Sequence, residues 1–71
     1  MRTTVWVLSC NNRFNIQTKN IGIFYDAADA YKAARKHKST LESPEMVFYY
    51  IQLFDIDKES LMCEDSHVLD V

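Results

Sequence analysis

A two-layer α+β domain, with a mostly antiparallel sheet of three to five strands and one helix on one face, is the fold class this sequence predicts. Three observations carry that reading. Met46 to Asp57 (MVFYYIQLFDID) is the densest apolar run in the chain and is rich in β-branched and aromatic residues, as strands are. Thr3 to Cys10 (TTVWVLSC) has the same character. Between them, one segment repeats apolar residues at the three-and-four spacing of an amphipathic helix. The expected order is β-β-α-β, with a possible extra strand at the C-terminal end.

Thr3 to Cys10 alternates Val5 and Val7 with Trp6 and Leu8, so it is apolar on both faces and belongs near the centre of the sheet, beside the Met46–Asp57 strand. Asn11-Asn12 follows, and asparagine tolerates the left-handed conformation of tight turns, which predicts a hairpin there. The returning strand starts near Arg13, with Phe14 and Ile16 alternating against Asn15 and Gln17. Its apolar positions then change parity to Ile21 and Ile23, which predicts a bulge or turn at Thr18–Asn20. Gly22, the only glycine, is read as a close backbone approach or a bulge partner, since a phosphate-cradling loop needs several glycines.

Asp26 is the expected N-cap of a helix running from Ala27 to about Ser39, with Asp29 as the reciprocal half of a capping box. Ala27, Ala30, Tyr31 and Ala34 form the apolar stripe, and Asp29, Lys32, Arg35 and Lys36 the wet side. The Arg35-Lys36-His37-Lys38 cluster falls at the negative end of the helix, where cations are stabilising without any ligand. Ser39 to Glu45, with the only proline, connects to the long strand. Asp57 to Ser60 has turn composition, Leu61-Met62-Cys63 is read as a short strand pairing back, and residues 65–71 either cover part of the sheet or form a loose tail.

The long strand poses the main problem. Its even positions carry Met46, Phe48, Tyr50, Gln52, Phe54 and Ile56, and its odd positions Val47, Tyr49, Ile51 and Leu53. Both sides are apolar, and a single helix covers one. The remaining sheet face is therefore the expected interface, with Trp6 or Leu8, Tyr49 or Tyr50, and Phe54 as candidates, the inward parity being open. Nine aromatics in 71 residues exceed what one short helix covers, so a homodimer is expected, formed by sheet-to-sheet packing or by edge-strand pairing.

Composition narrows the function. At 71 residues, 48% hydrophobic and 25% charged, the chain is one small globular domain spanning 1–71. Its longest apolar run falls far short of a membrane helix and MRTTVWVLSC lacks a signal-peptide layout, so a cytoplasmic protein without membrane association is expected. The net charge of −2 conceals a split. Up to Thr40 there are seven basic and two acidic residues, and beyond it one basic and eight acidic. Such asymmetry favours self-association or a charged partner.

No constellation carries chemistry. Cys10, Cys63, His37 and His67 lack the paired spacing of a zinc site, so no metal or cofactor is expected. Ser66-His67 beside Asp65 has hydrolase residue types without the glycines of a nucleophile elbow, and an enzyme is not expected. The alternative is nucleic-acid binding through Arg13, Lys19, Lys32, Arg35, Lys36 and Lys38 with an aromatic stacking surface, against which stands a pI of about 5.5.

The layout of a strand, a hairpin and a strand leading into FYDAADAYKAARKH and then a long strand resembles small accessory proteins of phages and mobile elements, over about residues 3–57. That resemblance implies a viral protein that binds a host or defence protein in the host cytoplasm, and it transfers no functional residues. The overall expectation is a non-enzymatic protein-interaction module.

Overall fold

The computed structural model describes residues 3–13, 15–57 and 63–71, with residues 15–17 described by their backbone. The elements are β1 (Thr4–Asn12), β2 (Asn15–Phe24), α1 (Ala27–Lys38), a 3₁₀ turn (Pro44–Met46), β3 (Val47–Asp55) and β4 (Cys63–Leu69). The strands form one antiparallel sheet in the order β2-β1-β3-β4 with the helix packed on one side, the α+β layout that the sequence predicts. The two strands apolar on both sides, β1 and β3, are the central pair.

Details depart from expectation for local reasons. β1 does not turn at Asn11-Asn12; both residues stay extended because they pair with Phe48 and Val47 of β3, and Asn12 faces Asn15 across the hairpin. The bulge falls just after the predicted place. Leu8 pairs with Gly22 and Ser9 with Asn20, leaving Ile21 as the extra residue. Ile21 therefore packs against the core while Ile23, opposite Val7, is 68% exposed, although their parity placed them on one face. Phe14 and residues 58–62, including Leu61 and Met62 of the expected short strand, lie outside the described residues, and the described last strand, Cys63–Leu69, begins where that expectation ended. Of residues 65–71, the first five continue β4 along the free edge of β3, where Leu69 is buried opposite Tyr49, and Val71 packs against the core beyond the strand end.

Helix α1 has Asp26 at its N-cap with extended backbone, but the side chain makes no capping hydrogen bond, so the expected capping box is not formed. The other end is better tied. The Ser39 and Thr40 hydroxyls donate to the carbonyls of Lys36 and His37, each at 2.7 Å, and the Lys38 amine donates to the Val71 carbonyl.

The core lies between helix and sheet. Leu8 and Cys10 stand opposite Ile51 and Tyr49, with Leu69 beside Tyr49, and Ala30 and Ala34 press on them with no exposed surface. Alanine at those two positions lets the helix approach closely, and Trp6, Phe24, Tyr31 and Val47 fill the margins. The Phe24 ring lies over Gly22, where a Cβ would come within 3.0 Å of it, so the glycine is the close approach that the sequence suggests.

Candidate functional site

Pairing register assigns the described side chains of the paired strands to a face. The helix side takes Trp6, Leu8 and Cys10 from β1 and Tyr49, Ile51 and Leu53 from β3. This corrects three of the interface candidates: Leu8 and Tyr49 are core residues with 0% and 1% exposure, and Trp6 shares their side, where its ring lies 5.9 Å from that of His67. Tyr50 and Phe54 lie on the open side, which assigns the parity that the sequence left undecided.

That open side is built by the opposite parity. Val5, Val7, Ser9 and Asn11 of β1 stand against Phe54, Gln52, Tyr50 and Phe48 of β3. Outside them come Ile23 and Asn20 on β2 and Val68 and Ser66 on β4. The Phe48 and Tyr50 rings sit side by side with centroids 6.1 Å apart. Ser9, 1% exposed, donates its hydroxyl proton to Asn20 Oδ1 at 2.9 Å, which satisfies the one buried polar side chain on this face that has a neighbour to bond. Asn11 Oδ1 is also buried, and among the described residues it has no partner. At the margins Ile23 and Val68 are 68% and 71% exposed.

The face carries no charge at any of these positions, in a chain that is one-quarter charged. Glu64, the extra residue where the β3·β4 register shifts, sits at its corner. Sequence reasoning missed Phe48, Ile23 and Val68 as members. The signal was present in the uncharged polar residues, Ser9, Asn11, Asn20, Gln52 and Ser66, which all fall on one side, but it becomes readable only once the four strands are in register.

The basic candidates divide. Arg13 and Lys38 line a cleft of about 360 Å³ with Val47, Tyr49 and Val71, and Arg35 joins Lys38 along an adjoining one beside Pro44. Lys32 and Lys36 are exposed on the helix, and Lys19 is on the β2 edge opposite Cys10.

Two clusters of reactive residue types occur on the helix side. The Tyr49 hydroxyl shares a 2.6 Å hydrogen bond with His37 Nδ1 and also bonds the Cys10 thiol. Burial pushes the Cys10 thiol up, so it is protonated and a poor nucleophile, and burial together with Cys10 pushes the Tyr49 phenol up to about 12. The second cluster is His67 Nε2 against Asp65 Oδ2 at 2.8 Å, a pair two residues apart on one strand. Ser66, between them, faces the other side of the sheet and cannot serve that imidazole as a nucleophile.

No protein-family model, curated protein or solved structure matches the chain.

Proposed function

We propose that this protein is a non-enzymatic binding module whose working surface is the open sheet face, docking against another protein. One observation supports this reading above the others: the face opposite the helix is aromatic and uncharged, with apolar side chains among uncharged polar ones, and no described helix packs on it. Aromatic side chains fixed on a rigid sheet lose little conformational freedom when they bind, which suits them to anchor an interface. A module of this kind acts by occupying a surface of a larger protein, in the manner of the phage accessory proteins whose layout it resembles.

The test is capture from the source cell with three baits. Wild-type protein and Lys36→Glu, changed on the helix, should retain the same partner, whereas Val68→Lys, changed at an exposed position of the face, should lose it. Equal capture by all three would overturn the reading.

A second reading, nucleic-acid binding, is favoured by the convergence of Arg13, Arg35 and Lys38 around Val71. Three phosphate contacts would weaken binding about 40-fold between about 50 and 200 mM salt. Absence of DNA and RNA binding at the lower salt would remove it.

A further inference from the structure

We infer that the occupant of the open sheet face is a second copy of this chain, related by a two-fold axis that packs sheet against sheet. The inference rests on the docking face proposed above and names its partner.

Charge comes first. A two-fold axis sets a surface against a copy of itself, residue i meeting j while j meets i, so a surface whose charges share one sign repels its copy. The sheet edges do carry such charge. Residues Glu64 and Asp65 mark the β4 edge, and Lys19 together with two register shifts marks the β2 edge, so pairing like edges brings like charges together or breaks the ladder. The helix exterior is likewise charged, with Lys32, Arg35 and Lys36 exposed. Only the open face, with Phe48, Tyr50, Phe54, Val68 and Ile23, meets a copy of itself without that penalty.

Area comes second. Four strands at a spacing of about 4.8 Å, with about eight residues each at about 3.3 Å, present a face of roughly 500 Å² before side-chain relief is added. Two such faces give about 1,000 Å² or more, which reaches the range of specific interfaces. The sheet is large enough for this, the molecule measuring 39 × 23 × 15 Å along its principal axes. Need comes third. Among the described residues the buried core cluster is seven, two of them alanines, which is little for a domain of this size to fold around without a staple. Covering the second face gives the sheet apolar layers on both sides, the arrangement that the composition of β1 and β3 calls for.

Sedimentation and light scattering over about 1–100 μM test the inference. Wild type should be a dimer. Val68→Lys and Ile23→Lys, each at an exposed position where the monomer fold is not strained, should raise the self-dissociation constant at least about 100-fold, because each places two unpaired charges in the apolar contact. Lys36→Glu should leave the dimer intact, and far-ultraviolet circular dichroism should be the same in all four proteins. A wild type that is monomeric throughout, or a dimer that survives both face variants, overturns self-pairing. If the wild type is monomeric but the face variants lose capture of another protein, the docking face stands and only its occupant is wrong; if they lose neither, both readings fall.

Discussion

Tyr49 and Tyr50 are adjacent in the chain and opposite in circumstance. The Tyr49 hydroxyl is enclosed between sheet and helix, 2.6 Å from His37 Nδ1, whereas the Tyr50 ring lies beside Phe48 on the uncovered side. The period-two alternation of a strand turns one residue of the pair into a structural tie and sets its neighbour on the opposite face.

Replacing Tyr49 with Phe removes that tie while keeping the ring. His37 and the buried Cys10 thiol both lose a partner, and the expected cost is about 1–3 kcal/mol, measured as a lower urea midpoint with unchanged slope. A variant as stable as wild type would mean that the hydroxyl contributes nothing to holding the helix on the sheet.

The same phenol sets an alkaline limit. It is pushed up to about 12 in the folded protein, chiefly by burial, while an unfolded tyrosine ionises near pH 10. The unfolded state therefore releases its proton first. The stability contributed by the neutral phenol is complete below about pH 10 and is lost as pH rises through about 12. Urea midpoints taken across that window should fall more steeply for wild type than for Tyr49→Phe, and parallel declines would refute the assignment.

Much of the fold was legible in the sequence because hydrophobic periodicity and chain punctuation are local. The central strands, the alanine stripe and the helix start at Ala27 all follow from neighbouring residues. What was not legible depends on pairing. Nothing local to Met46–Asp57 says whether Tyr49 or Tyr50 faces the helix, since both parities are apolar. Asn11-Asn12 has turn composition yet stays extended because β3 supplies partners. Residues 65–69 have weak preference of their own and become strand by lying along a free edge. The open face was thus half visible: its existence follows from counting apolar surface, its membership from register.

Ala34 fixes how closely the helix approaches. Enlarging it to Leu forces the helix away from Leu8 and Tyr49, at an expected cost of about 1–3 kcal/mol. For a chain of this length that lowers the melting temperature by several degrees, about 4–8 °C per kcal/mol, readable by circular dichroism.

Asn11 offers the opposite outcome. Its buried Oδ1 has no partner among the described residues, and valine suits a paired strand position between Thr18 and Phe48. Asn11→Val should stabilise the protein by about 1 kcal/mol in urea titration, and a loss of stability would show that the amide is bonded in solution.

The two thiols should separate kinetically. Cys63 is exposed, while Cys10 is buried with its thiol pushed up, so a thiol reagent should label one site promptly and the other at least about 100-fold more slowly. In denaturant both should react together.

The central pairing of β1 with β3 also sets an order of events during synthesis. Thr4 pairs with Asp55 and Asn12 with Val47, so the middle of the sheet cannot close until the helix and its connection have already been made. Until then the nascent chain holds at most a hairpin, apolar on both sides of β1, with its second edge unpaired. Such a segment is open to wrong partners for as long as translation takes to reach Asp55, and a pause between α1 and β3 would prolong that exposure.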